Sequence, residues 1–199
     1  MSSHHFVREG QEPALLILDP LSLTLVEPLL EWAPVVMVSD SAIVEVLKWK
    51  IKIDVVLFQQ DAVRTYADEI GNQGPVEILH YSRTENIPDM VVTFLRLRKY
   101  RGVNVIARPS PDVFDRWLPN VFELDISIID SNTKWSAIQS TFQKWLPQKT
   151  KLDVRCHSKA SLKFGGLIRD THQSFLTDSD GIALLQSDAP FWLGEPLDG

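Results

Sequence analysis

The chain has 199 residues, of which 44% are hydrophobic and 23% are charged, and its net charge is −6. These values are ordinary for a globular protein, and the length suffices for one well-buried domain or for a domain with a small second one. The acidic balance, without a basic stripe, argues against a nucleic-acid partner, and no apolar run reaches the length of a membrane span. The polar start predicts no signal peptide. A single cysteine, Cys156, excludes an internal disulfide and a thiolate zinc site, so we expect a cytoplasmic protein.

Strand-like apolar runs alternate with helical patterns along the first two thirds of the chain. Several runs are continuously apolar, which is typical of strands covered on both faces. Residues 41–49 and 89–100, between such runs, place their apolar side chains on one face of a helix. This alternation predicts an α/β domain with a Rossmann-like parallel sheet over about residues 1–130. The predicted strands are Ala14–Leu18, Val35–Val38, Val55–Phe58, Val76–Leu79, Val103–Ala107 and Ile126–Ile129.

The last third of the chain changes character after Trp145-Leu146-Pro147, because helical periodicity disappears there. Short apolar segments separated by polar turns replace it, which indicates antiparallel strands. We therefore predict a small antiparallel β-sandwich-like domain over residues 131–199. The predicted strands are Leu152–Arg155, Ala160–Phe164, Gln173–Leu176, Ile182–Gln186 and Phe191–Leu193.

Acidic residues stand where the predicted strands of the first domain end. Asp40 follows the second strand, Asp61 follows the third, Asp89 opens the helix after the fourth, and Asp115 follows the fifth. Ligands of an open parallel sheet bind beyond the carboxyl ends of its strands, so we expect these carboxylates to line one cleft. Clustered carboxylates need a cation to neutralise them, and Mg²⁺ is a natural occupant. Taken singly, each Asp is also an ordinary helix N-cap.

Other site chemistries find little support in the sequence. Neither a Walker-type glycine loop nor a G-x-G-x-x-G turn is present, so the common phosphate cradles are missing. Gly165-Gly166 reads as a bulge or turn in the β region. The histidines are dispersed and lack the spacing of metal ligands.

The order of these segments resembles the thiamine pyrophosphokinase family along nearly the whole chain. The family's A-D-G-G-A-N motif falls on residues 39–44, and its G-D-F-D-S motif falls on residues 58–62. Its T-D pair falls on Pro88-Asp89, and its G-R-F-D motif falls on residues 112–115. The resemblance implies a nucleotide-binding domain at 1–130 followed by a shortened thiamine-binding β domain at 131–199.

The same resemblance implies an activity and the residues that carry it. The family transfers diphosphate from ATP to thiamine with Mg²⁺, which yields thiamine diphosphate and AMP. By position, Asp61 and Asp89 are the implied Mg²⁺ ligands, and both are implied catalytic residues together with Asp115. The implied nucleotide-binding residues are Asp40, Ser41 and Gln59.

The resemblance also implies a homodimer. A physical argument points the same way, because the apolar end Ala189–Leu193 is hard for so small a β unit to bury alone. We therefore expect the β unit to lie in or near a dimer interface.

The family motifs are eroded in this chain, which leaves the activity open. Gln59 stands in place of the first metal-binding Asp, and an amide oxygen carries no charge where Mg²⁺ prefers anionic oxygens. Val113 stands in place of the Arg, which removes a bidentate phosphate clamp. Ser41 and Ala42 stand in place of glycines, which adds side chains where backbone would approach a phosphate.

Two interpretations follow from this erosion. The chain is either a thiamine pyrophosphokinase of weak activity or a non-catalytic nucleotide-binding, small-molecule-binding or structural homologue. An α/β enzyme of another class, with Asp115 as base, ranks behind both. The thiamine-binding segment is also ambiguous: Ser161–Phe164 matches the family's G-L-K-W weakly, and another alignment through Gly166-Leu167-Ile168 leaves that segment missing.

Overall fold

The structure, a computed structural model, describes residues 12–59, 70, 74–82, 87–156 and 160–197. It divides into two compact units: the first runs to Arg108 and includes Glu123–Asp125, and the second comprises Pro109–Phe122 and the chain from Ile126 onward. The boundary near residue 130 between a nucleotide-binding and a thiamine-binding region stays a prediction. In the part of the chain that the structure describes, no helix is long and apolar enough to cross a membrane.

The first unit is a parallel sheet with helical crossovers. Its strands are β1 (Ala14–Ile17), β2 (Val36–Ser39), β3 (Val55–Gln59), β4 (Glu77–Tyr81) and β5 (Gly102–Ile106), and its helices are α1 (Leu23–Leu30), α2 (Ile43–Lys48) and α3 (Ile87–Leu97). Within the unit the strand order is β5-β1-β2-β3-β4, and all four pairings are parallel, as the sequence predicts. The sixth strand predicted for this sheet, Ile126–Ile129, belongs instead to the second unit, where it pairs antiparallel with Thr133–Ile138.

Burial explains why these segments form this sheet. Every side chain of β1 and β2 is buried, and so are the first four of β3, which ends at the half-buried Gln59. Removing a side chain such as Phe58 from water stabilises the fold by roughly 1.5–3 kcal/mol. α3 buries one apolar face that includes Val91 and Leu95. β4 lies at the end of the order, and its side chains are mostly exposed.

The strand order contains a switch between β1 and β5. From β1 the chain proceeds through β2, β3 and β4 in one direction and then returns to β5 on the other side of β1. The N–H groups of Leu18 and Asp19 both donate to the carbonyl of Ile106, at 3.0 and 3.1 Å. The carboxyl ends of β1 and β5 therefore meet at one edge, where open α/β sheets bind their ligands.

The second unit begins with α4 (Pro111–Trp117) and a 3₁₀ helix (Leu118–Phe122) and continues as antiparallel strands. The strands are β6 (Asp125–Ile129), β7 (Thr133–Ile138), β8 (Thr141–Leu146), β9 (Lys151–Cys156), β10 (Leu162–Gly165), β11 (Leu167–Arg169), β12 (Ser174–Thr177), β13 (Gly181–Ser187) and β14 (Phe191–Pro196). One sheet has the order β11-β12-β9-β14-β7-β6 and the other the order β10-β13-β8. Three strands, β7, β8 and β11, were not among the predicted strands.

The two sheets of this unit share one apolar core, to which Phe175 and Leu185 contribute from opposite sheets. The apolar end of the chain belongs to the interior of this unit. Phe191, Trp192 and Leu193 are 0%, 1% and 0% exposed. The expectation that a partner chain must cover these residues is therefore wrong, because Phe191 and Leu193 pack in the core between the two sheets and Trp192 packs against Phe114 of α4.

Candidate functional site

Asp40 lies directly after β2 and joins the ends of β2, β3 and β4. Its N–H donates to the carbonyl of Leu57 at 2.9 Å. Its Oδ2 accepts the N–H of Gln59 at 3.0 Å, and the hydroxyl of Tyr81 approaches Oδ1 and Oδ2 at 2.9 and 3.0 Å. Both carboxylate oxygens are thus engaged within the unit, and Asp40 holds neighbouring strand ends together.

Tyr81, the last residue of β4, lies beside Asp40 at this edge, and the sequence did not predict it as a site residue. The strand that carries it was predicted to end at Leu79, whereas β4 continues to Tyr81. Burial, then the hydrogen bond to Asp40 and its negative charge, raise the pKa of Tyr81 to about 12. The hydroxyl therefore keeps its proton and remains a donor to Asp40 at neutral pH.

Two serines connect the end of β2 to the end of β1. The hydroxyls of Ser39 and Ser41 lie 2.8 Å apart, and each donates to the carbonyl of Leu18 at 3.1 Å. Ser39 is buried, and Ser41, one of the predicted nucleotide-binding residues, is exposed. These hydroxyls satisfy a carbonyl that the strand pairing leaves open.

A charged pair stands at the switch between β1 and β5. The N–H of Arg108 donates to Oδ2 of Asp19 at 2.7 Å, and the Arg108 guanidinium lies 3.8 Å from Oδ1. The Arg108 side chain is 74% exposed. Neither residue was predicted, although Asp19 carries the same signal as the other acids: it follows a buried strand directly.

The predicted site residues are distributed over both units of the structure. Asp40, Ser41 and Gln59 lie at the carboxyl edge of the first unit, while Asp61 lies outside the described residues. Asp89 is exposed in the first turn of α3, and its carbonyl accepts the Thr93 hydroxyl at 2.8 Å. Asp115 is exposed on α4, in the second unit. The catalytic and binding roles of these residues stay predictions.

The described residues do not by themselves fit a Mg²⁺ site. Among them, no three His, Cys, Asp or Glu side chains come close enough to hold a metal ion. The oxygens of Asp40 already accept hydrogen bonds from Gln59 and Tyr81. A cation there would have to replace those bonds or recruit further carboxylates.

Phe114, which the resemblance matches to a family motif, is a packing residue of the second unit. Its ring makes edge contacts with Trp135 and Trp192 at centroid distances of 5.1 and 5.3 Å. Its carbonyl accepts the indole N–H of Trp192 at 3.2 Å. The guanidinium of Arg155 lies 4.6 Å from the centre of the Phe114 ring. These contacts attach α4 to the sheet that contains β7, β9 and β14.

Solved structures with a similar fold cover nearly the whole chain. The thiamin pyrophosphokinase from Geobacillus thermodenitrificans is 9% identical, with a TM-score of 0.68 over 94% of this chain and 98% of that one. The enzyme from Candida albicans is 9% identical, with a TM-score of 0.66 over 94% and 90%. Yeast thiamin pyrophosphokinase is 10% identical, with a TM-score of 0.65 over 96% and 88%.

At the level of sequence, no protein-family model matches the chain, and no curated protein matches it either. The similar solved structures show that the chain has the fold of the thiamine pyrophosphokinases. Because the sequence identities are near 10%, the likeness extends no further than the fold.

Proposed function

We propose that this chain is a thiamine pyrophosphokinase-like protein that binds a nucleotide at the carboxyl edge of the first unit's sheet. The likeness of fold over 94% of the chain carries this proposal. The polar edge supports it, since Asp19 and Arg108 stand at the switch where such sheets bind ligands. In this proposal the second unit receives thiamine or a related small molecule.

Arg108 is the phosphate-binding cation in this proposal. Position 113, where the family resemblance implies an arginine, holds Val113. The guanidinium of Arg108 is largely exposed, and its ion pair with Asp19 is long, so a phosphate can take over the contact at small cost. A guanidinium matches phosphate oxygens in a bidentate geometry.

Diphosphate transfer is proposed to be slow. Asp61 and Asp89 are the proposed Mg²⁺ ligands, ATP the proposed donor, and Asp115 the residue proposed to orient thiamine or the phosphates. Two changes weaken this set: Gln59 is uncharged, and the guanidinium implied at position 113 is replaced only by that of Arg108, which comes from a different place in the fold. Each missing electrostatic contact to the transition state costs about 3–4 kcal/mol, so losses of this kind slow the reaction by orders of magnitude.

A non-catalytic nucleotide-binding protein is the second candidate. It is favoured by the engagement of both Asp40 oxygens, which the hydroxyl of Tyr81 and the N–H of Gln59 occupy. A scaffold whose edge carboxylate connects strand ends keeps its polar side chains at that edge while it loses a cation ligand. The two candidates differ in turnover and agree on nucleotide binding.

The deciding experiment measures AMP release from ATP with Mg²⁺, with and without thiamine, and ATP binding by calorimetry. We expect ATP binding, slow thiamine-dependent AMP release that Asp61→Asn abolishes, and no rescue by Gln59→Asp, because one repair within a broken unit restores little. Arg108→Gln should weaken ATP binding roughly tenfold. Arg116→Gln is the matched control, since Arg116 is also exposed and paired with an Asp.

Three outcomes separate the candidates. ATP binding without AMP release assigns the non-catalytic function. Fast thiamine-dependent release contradicts the slow transfer that we infer from Gln59 and Val113. Absence of both binding and release overturns the proposal.

We also propose that the chain forms a homodimer through the outer face of the β10-β13-β8 sheet. Trp145 and Ile182 are directly paired across β8 and β13 on that face. They are 61% and 58% exposed, so this apolar surface, unlike the end of the chain, lacks cover within the described part of its own unit.

A further inference from the structure

A cavity of about 590 Å³ lies at the opposite edge of the first unit's sheet, where its strands begin. It is formed by the chain segments that follow α1, α2 and α3 and lead into β2, β3 and β5. None of its residues belongs to the edge that carries Asp40 and Arg108. The lining residues are Leu30, Ala33, Pro34, Val35, Val36, Ile51, Lys52, Asp54, Arg98 and Tyr100.

The lining has the composition of a small-molecule site. Aliphatic side chains make most of the wall, and the polar side chains come from two segments only, 52–54 and 98–100. Pockets for small ligands have volumes of roughly 300–1,000 Å³ and combine an apolar wall with a few polar groups. The cavity therefore offers a place for an apolar body and polar contacts for one end of it.

Asp54, the acidic residue of the lining, is held by hydrogen bonds within the fold. Its Oδ2 accepts the N–H of Val36 at 2.9 Å, and its Oδ1 accepts the ammonium of Lys52 at 2.5 Å. The carboxylate thereby joins the start of β2 to the segment before β3. The Lys52 side chain is 75% exposed, so its ammonium can also reach a second anion.

Arg98 is the second cation of the lining, and it is held in place. Its guanidinium lies 4.0 Å from the centre of the Phe94 ring and pairs with Glu77. Both members of that ion pair are more than 40% exposed, and exposed pairs contribute little stability. An incoming carboxylate can therefore share or replace Glu77 while the ring keeps the guanidinium oriented.

The surrounding chain biases this edge toward positive charge. Segments 48–52 and 96–101 together contain seven of the 20 lysines and arginines of a chain whose net charge is −6. Lys50 and Lys99, each beside a lining residue, have φ of 56° and 64°, a conformation usually left to glycine after a helix. Among the described residues, neither lysine takes part in an ion pair.

We propose that this cavity binds an amphipathic organic carboxylate, with its apolar ring or chain against the aliphatic wall and its carboxylate on Arg98 and Lys52. The wall supplies the hydrophobic contact, and the two cations supply the recognition of charge. This site goes beyond the proposed function, with which it shares no residue. Loss of one site therefore leaves the other to be measured independently.

The experiment uses 1-naphthoate as the probe and 1-naphthalenemethanol, which has the same ring without the charge, in calorimetric titrations of the full chain. We expect saturable binding of one equivalent of naphthoate and roughly tenfold weaker binding of the alcohol. Arg98→Gln and Lys52→Gln should each weaken naphthoate binding roughly five- to tenfold. Arg116→Gln and Lys144→Gln are the matched controls, because both residues are exposed and ion-paired in the second unit.

Leu30→Trp tests the apolar wall, since Leu30 ends α1 at the cavity and a larger side chain there narrows it. This variant should weaken naphthoate binding while its circular dichroism stays that of the natural protein. If Leu30→Trp fails to fold, Arg98→Gln and Lys52→Gln still test the proposal. Naphthoate that fails to bind at millimolar concentration, binds no better than the alcohol, or binds unchanged to Arg98→Gln would overturn the proposal.

Discussion

The contact between Asp40 and Tyr81 shows how a side chain at a strand end can form hydrogen bonds that stabilise the fold itself. The sequence places an Asp after β2, and in the structure its two carboxylate oxygens accept hydrogen bonds from the N–H of Gln59 and the hydroxyl of Tyr81. A hydrogen bond to a charged group contributes roughly 1.5–3 kcal/mol, and this one is half-exposed, so we place it at the lower end. At the residue scale, the Asp40 carboxylate connects the ends of neighbouring strands.

Removing the hydroxyl in Tyr81→Phe should lower the free energy of unfolding by about 1.5 kcal/mol at neutral pH. Since the pKa of Tyr81 is raised to about 12, the folded state holds this proton more tightly than the unfolded chain, whose tyrosines titrate near 10. The stabilising effect is therefore complete below pH 10 and is lost as the pH rises toward 12.

The measurement is an alkaline titration of tyrosinate absorbance in the natural protein minus that in Tyr81→Phe. We expect a midpoint near 12 and a lower one in Asp40→Asn, where burial persists and the charged acceptor is gone. A difference titration centred near 10 in the natural protein would show that the contact to Asp40 does not form.

The turn between β10 and β11 shows how a single backbone conformation connects the two sheets of the second unit. Gly166 has a φ of 66°, and a Cβ built there would lie 2.3 Å from the carbonyl oxygen of Ile182 on β13. Gly165, its neighbour, ends β10, and a Cβ there would meet only the Leu184 side chain at 3.9 Å. At the element scale, only the second glycine of the pair is demanded by the structure.

Gly166→Ala should lower the free energy of unfolding by roughly 2–4 kcal/mol, because the left-handed conformation is strained and the Ile182 carbonyl must move. Gly165→Ala, the matched control, should change it by less than about 1 kcal/mol. Urea denaturation followed by tryptophan fluorescence compares the two. Equal stabilities would contradict the turn as described.

Over the whole molecule, exposed apolar side chains matter for assembly only where they cluster. Trp32 on the first unit and Trp145 on the second are each 61% exposed. Trp145, however, faces Ile182 across a strand pair, and Leu184 follows on the same face of β13. A contiguous apolar face of this kind is typical of interfaces, while single exposed residues are common on any surface.

Trp145→Glu should therefore convert the proposed homodimer to a monomer, because the substitution buries an unpaired charge in the interface. Trp32→Glu, at a position of equal exposure, should leave the dimer intact. Light scattering at high micromolar concentration measures both. A natural protein that is monomeric under those conditions would refute the dimer, and a Trp145→Glu dimer would place its interface elsewhere.

Local sequence patterns were enough to predict the class of each unit. Continuous apolar runs in β1, β2 and β3, with one-sided helices between them, predict a parallel sheet, and short apolar segments with polar turns predict antiparallel strands. These are local patterns, because helix and strand periods repeat within a few residues and need no knowledge of distant partners.

Which polar groups meet depends on the tertiary structure. Arg108 bonds Asp19 across 89 residues, and Tyr81 bonds Asp40 across 41. The strand order also brought the basic segments 48–52 and 96–101 to the cavity edge. Phe191 and Leu193 are buried in the core between the two sheets, while Trp192, on the other face of β14, is buried against Phe114. Contacts between distant segments follow from strand order and burial, which compact packing selects and local periodicity does not encode.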